Sequence, residues 1–136
     1  MTLYYAPGVC SIGTHVLLEE IGKPYELEAI NLREGAQYKP EYAKVNPKSK
    51  VPALLRDDGT LQTEYPAIAY WLAPPNPFST LLPATIDQQA RALELLASCL
   101  ATVPMPGSTR MFLPATFSPD PAQYAARKSP AQETVV

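Results

Sequence analysis

Proline is spread thinly through the first 73 residues and crowded into the remainder of the chain. That spacing limits the fold more than any other feature. Of 16 prolines in 136 residues, six stand at positions 7, 24, 40, 47, 52 and 66, and ten lie in 74–136. Proline fixes φ and donates no hydrogen bond, so regular elements must run between these positions. The first 73 residues therefore read as short alternating elements. The run Pro74-Pro75-Asn76-Pro77 reads as a stiff linker, and one periodic segment comes after it.

Thr2 to Tyr5 is a compact apolar-aromatic strand, ended by Ala6-Pro7-Gly8. Ser11 to Ile21 reads as a helix with Ile12, Val16 and Leu17 on its apolar face, opposite Glu19 and Glu20. Ser11 is its expected N-cap, and Gly22 with Pro24 marks its stop. Tyr25 to Leu32 alternates as a second strand, and a strand–helix–strand unit with short links implies parallel pairing. Arg33 to Asn46 is polar and irregular, with one helical turn expected at Pro40 to Lys44. Residues 52–55 and 60–63 flank Asp57-Asp58-Gly59, a hairpin turn signal. A helix opens after it, with Thr63 or Glu64 as cap, Pro66 at its first position, and Ile68, Trp71 and Leu72 on one face. The order β-α-β-(α)-β-β-α predicts an α/β domain, a four-stranded mixed sheet with helices against it.

Charge and cysteine usage narrow the function. Eleven basic residues against 13 acidic ones, without a Lys/Arg cluster, argue against nucleic acid or an anionic membrane surface. No apolar run reaches the ~18–20 residues of a membrane span, and no basic n-region precedes an apolar h-region at the start of the sequence, so no secretion signal is expected. Two cysteines cannot make a disulfide framework, so reduced thiols in the cytoplasm are expected. With one histidine, no metal site and no Ser/His/Asp set are expected.

Three stretches carry chemistry. Cys10 lies between the first strand and first helix, where backbone N–H groups and the helix dipole are expected to lower its pKa. The plainer reading is a small residue buried in a turn. Residue 13 is glycine, which excludes a thioredoxin-type dithiol. In Asn46-Pro47-Lys48-Ser49-Lys50-Val51-Pro52, a cis bond before Pro52 would turn the Val51 backbone outward as a ladder partner for an extended peptide. A trans proline at a strand's first residue is the alternative. At Thr63-Glu64-Tyr65, a helix start suits a carboxylate and Glu64 suits an ammonium. Glu64 as a simple first-turn acid remains open beside that reading.

Leu3-Tyr4-Tyr5-Ala6-Pro7-Gly8-Val9-Cys10-Ser11, Asn46-Pro47-Lys48…Val51-Pro52-Ala53-Leu54 and Thr63-Glu64…Ala67-Ile68-Ala69-Tyr70-Trp71-Leu72 together resemble the N-terminal domain of bacterial glutathione S-transferases, closest to the beta class. The resemblance covers residues 1–82. It implies a thioredoxin-like fold, a structural cis-proline at Pro52, and glutathione as a substrate with no separate cofactor. It implies further that Cys10 faces the glutathione sulfur, lowering its pKa or forming a mixed disulfide. Val51 would pair with the cysteinyl backbone, Lys50 would reach the ligand, and Glu64 with the Tyr65 backbone would take the γ-glutamyl end. Tyr65 stands where the family usually has Ser or Gly, so its ring threatens to crowd the carboxylate. His15 is expected to pack or cap rather than react.

Residues 83–136 resemble an incomplete all-helical second domain. Thr85-Ile86-Asp87-Gln88 is a capping-box pattern, and Ile86, Ala90, Leu93, Ala97, Leu100 and Val103 form one stripe, with Cys99 beside it. Pro104-Met105-Pro106-Gly107 ends that helix, and one short helix is expected at Asp120-Pro121. The shortfall predicts an uncovered apolar strip, and with it a homodimer or a marginally stable chain. Two functions are open. One is a glutathione-dependent transferase or thiol-disulfide reductase acting on a hydrophobic electrophile, in a detoxification role. The other is a non-catalytic binding or dimerisation module.

Overall fold

The computed structural model describes residues 1–73 and 81–102. The chain divides into two compact units, Met1–Pro83 and Ala84–Val136. In the first, strands β1 (Thr2–Tyr5), β2 (Glu26–Ala29), β3 (Ala53–Leu55) and β4 (Leu61–Thr63) alternate with helices α1 (Ser11–Ile21), α2 (Pro40–Val45) and α3 (Tyr65–Leu72). The sheet order is β2-β1-β3-β4. β1 and β2 are parallel, with Leu3 opposite Leu27. β3 is antiparallel to both β1 and β4, with Leu54 opposite Leu3 and Gln62. This is the mixed thioredoxin-like sheet expected.

Side chains on a strand alternate between faces, and β1 uses both. Leu3 joins Leu18, Leu54, Ile68 and Leu72 in the core, packed by Tyr5, Leu17, Ile21 and Trp71, so α1 and α3 cover this face. Each such fully buried side chain stabilises by roughly 1.5–3 kcal/mol. Tyr4 points the other way and meets Tyr42 of α2, ring centroids 5.6 Å apart. The sheet thus lies between α1 with α3 and α2. The hairpin is closed by Arg56, which pairs with Asp58 at 2.8 Å and lies 4.4 Å over the Trp71 ring.

Several boundaries differ from the sequence reading. Helix α1 keeps its expected ends, and Gly22 at φ 68 donates to Leu18 and Glu19 carbonyls. Its buried face is different: Ser11, Thr14 and Leu18 face inward, while Ile12 and Val16 are 63% and 54% exposed. The N-cap position is Cys10, not Ser11. The Ser11 hydroxyl instead accepts from Ala6 N–H at 3.1 Å and donates to Ala6 carbonyl at 2.9 Å. That bond pair rotates Ser11 inward and carries Ile12 to the surface. β2 is half the expected length, and Pro66 takes the second helical position of α3. Two 3-10 turns, Leu32–Glu34 and Ala36–Tyr38, order the stretch before α2.

In the second unit, helix α4 (Ile86–Ala97) is capped by Thr85, whose Oγ1 accepts from Gln88 N–H at 3.3 Å. A π-helical turn, Ser98–Thr102, continues it and carries Cys99. The expected linker at 74–77, the stop at 104–107 and the short helix at 120–121 lie outside the described residues. Among the described residues no helix is long and apolar enough to cross a membrane.

Candidate functional site

Three loops meet at the carboxyl end of β1. The first carries Cys10 at the mouth of α1, exposed. Its thiol donates to the Val51 carbonyl across 3.6 Å. Partial desolvation of the sulfur pushes the Cys10 pKa up, and the Glu64 charge pushes it the same way. Backbone N–H groups of Cys10 and Ser11 pull it down without prevailing. This corrects the expectation of a lowered pKa. Desolvation of a thiolate exceeds what one helix mouth returns, so Cys10 is held as a thiol.

The second loop is built by Asn46, 1% exposed. Its Nδ2 donates to the Lys50 carbonyl at 2.8 Å, its Oδ1 accepts from Lys48 N–H at 3.1 Å, and its carbonyl accepts from Ser49 N–H at 2.9 Å. The Tyr42 hydroxyl donates to the same Lys50 carbonyl at 2.6 Å. Pinned on that side, the loop delivers Val51 to the thiol, and the Val51–Pro52 bond is cis. Pro52 is buried and Val51 half-buried. Lys50 is anchored through its backbone carbonyl, and its exposed side chain makes no ion pair among the described residues.

At the third loop, Glu64 caps α3 by position, at φ 67 and ψ 119, with no side-chain bond to the helix. A non-glycine residue there stores about 1–3 kcal/mol of strain. The conformation leaves the first-turn N–H groups of α3 without intrahelical acceptors, as at every helix start. Lys48 Nζ lies 3.4 Å from Glu64 Oε1 and 2.8 Å from Thr63 Oγ1. The Tyr65 ring lies against α1 at Gly13.

The structure therefore joins Cys10 to Val51 directly and to Glu64 through its field. Lys48 and Asn46 held no assigned role in the sequence, because their partners are reached only through the loop and the β3–β4 pair. His15 packs between Tyr5 and Tyr25, ring centroids 6.1 and 5.8 Å away, with Glu19 at 3.7 Å. Cys10 and Cys99 are both free thiols. Among the described residues no group of three or more His, Cys, Asp or Glu could hold a metal ion.

Residues 9–73 match the family model described as glutathione S-transferase, N-terminal domain. This chain carries a glutathione S-transferase N-terminal domain. The chain is 41% identical over 118 residues to glutathione S-transferase GstA of Escherichia coli O157:H7, covering 85% of this chain and 58% of that protein. A solved glutathione transferase homologue from Sulfitobacter with bound glutathione superposes with TM-score 0.88 at 25% identity, covering 98% of this chain and 64% of that one. The bacterial beta-class glutathione S-transferase of Sphingomonas chungbukensis superposes with TM-score 0.79 at 27% identity, covering 98% and 65%. The chain thus spans roughly three fifths of these relatives' lengths.

Proposed function

We propose that this protein binds glutathione across the three loops and activates its thiol for attack on a hydrophobic electrophile. The observation that carries this reading is the Cys10–Val51 contact, a thiol 3.6 Å from the Val51 backbone carbonyl. An extended tripeptide would pair its cysteinyl backbone with Val51, by strand addition at an unpaired edge. Its sulfur then lies beside Cys10. The γ-glutamyl ammonium is suited to Glu64, and its α-carboxylate to the Tyr65 backbone N–H at the mouth of α3. Lys50 serves as an outer contact and Pro52 as the structural support of Val51.

The raised pKa of Cys10 favours one of its two candidate roles. A neutral thiol donates a hydrogen bond to the glutathione sulfur, and charge-assisted bonds of this kind are the strong ones. Glutathione loses its proton to solvent, and its thiolate attacks the electrophilic carbon and displaces the leaving group. Cys10 itself forms no covalent bond in this scheme. The exposed Ile12 and Val16 support a homodimer, and the reading places the protein in the cytoplasm in a detoxification role.

Calorimetry with millimolar glutathione and turnover of a chloronitrobenzene test the reading together. Heat of binding is expected in the wild type. Cys10→Ala is expected to lower turnover about tenfold or more, as loss of a hydrogen bond to a charged partner, with binding largely kept. Absence of heat and of competition overturns the proposal. Binding without turnover in the wild type selects the non-catalytic module instead.

A further inference from the structure

Tyr65 and Gly13 form a pair that no local motif joins. They stand 52 positions apart, on α3 and α1. A methyl group on the Gly13 Cα would lie 2.6 Å from Tyr65 Cε2, 2.7 Å from Cζ and 2.8 Å from the hydroxyl oxygen. A side chain there would force the ring to move. The phenol ring rests on the bare backbone of α1, one turn beyond Cys10, whose carbonyl accepts from Gly13 N–H at 3.2 Å. Gly13 has an ordinary negative φ, absent from the positive-φ positions, so backbone conformation does not call for glycine here. Space does. A glycine inside a helix costs roughly 0.5–1 kcal/mol relative to alanine, and the seat for the ring gives that cost a physical reason.

The seat matters because of where Tyr65 stands. It is the first residue of α3, with Pro66 next to it, so its side chain has few staggered positions. One lays the ring on α1. Because Tyr65 is the first residue of α3, a ring displaced from Gly13 must swing about the start of that helix. We propose that Gly13 is a positioning residue of the glutathione site: by seating the Tyr65 ring on α1, it keeps the mouth of α3 open to the ligand's carboxylate. The inference rests on the binding mode proposed above. It also removes the conflict raised by a bulky residue at position 65.

The test is calorimetric binding of reduced glutathione by the full chain, with chloronitrobenzene kinetics and melting temperature alongside. Gly13→Ala is expected to weaken binding and raise KM about tenfold, within the range of coupled neighbours, with kcat at saturation within about twofold. Tyr65→Ser is expected to bind at least as well as wild type. Gly13→Ala combined with Tyr65→Ser is expected to bind within about twofold of Tyr65→Ser alone. The dependence on residue 65 is what a general weakening of α1 would not produce. Tyr65→Trp, whose indole overfills the seat, makes the same demand without altering α1 and is expected to weaken glutathione similarly. That variant carries the test if Gly13→Ala does not fold. Gly13→Ala and Tyr65→Trp binding like wild type overturns the inference alone. An equal loss from Gly13→Ala in the Tyr65→Ser background also overturns it. A wild type that gives no heat overturns the binding mode and the inference together.

Discussion

Two helix mouths face the candidate site, and they differ in what they do with charge. At α1 the N-cap residue is Cys10 in a right-handed conformation, and at α3 it is Glu64 at φ 67. Neither side chain bonds its own helix. The α1 mouth is locked by Ser11 to Ala6, and its thiol is desolvated enough to stay protonated. The α3 mouth carries a carboxylate that Lys48 meets at 3.4 Å, on a strained backbone. A helix N-terminus therefore does not by itself lower a pKa. Burial and neighbouring charge decide whether the dipole is felt.

The comparison can be broken most heavily at its anchors. Ile68 is fully buried and fixes α3 to the core, so Ile68→Ala is expected to cost about 2–5 kcal/mol in denaturant unfolding. A loss below about 1 kcal/mol would mean that α3 is held by its loop rather than by packing. At the other mouth, Ser11→Ala strips both partners from buried Ala6 and is expected to cost about 1–3 kcal/mol. An unchanged midpoint would place the lock elsewhere.

Two smaller effects sharpen the contrast. Glu64→Gly releases strain at φ 67 but adds chain entropy, so a net gain of up to about 1 kcal/mol is expected, with weaker glutathione binding. Stabilisation without loss of affinity would remove Glu64 from the ligand. The smallest effect is on titration. Alkylation of Cys10 by iodoacetamide is expected to rise with a midpoint above that of an ordinary cysteine, and Glu64→Gln is expected to move that midpoint down. A thiol pKa raised by folding contributes stability below the unfolded value, lost as pH rises through the folded one. A midpoint unmoved by Glu64→Gln would separate the two mouths electrically.

Much of the fold was legible in the sequence. Local signals are chemical and short-ranged: Gly22 ends α1, Asp58-Gly59 turns the hairpin, and Thr85 caps α4 as its spacing implies. What failed were questions of rotation and burial. Ile12 and Val16 satisfy a helical stripe yet lie exposed, because the Ser11 bonds to Ala6 turn the helix about its axis. The Cys10 pKa reversed because desolvation and Glu64 come from residues distant in the chain. Asn46 stood in a recognisable motif, but its three bonds to the Lys48–Lys50 loop could not be counted from spacing.

The sequence alone determined the order of elements, the stops and turns between them, and which residue types were present to do thiol chemistry. Those depend on φ preferences, capping and periodicity, all settled within a few residues. The tertiary structure alone decided which way α1 faces, that Cys10 rests against Val51 as a thiol, and that Gly13 makes room for Tyr65. Each depends on distances between segments far apart in the chain, where shape and solvent exclusion outweigh local preference.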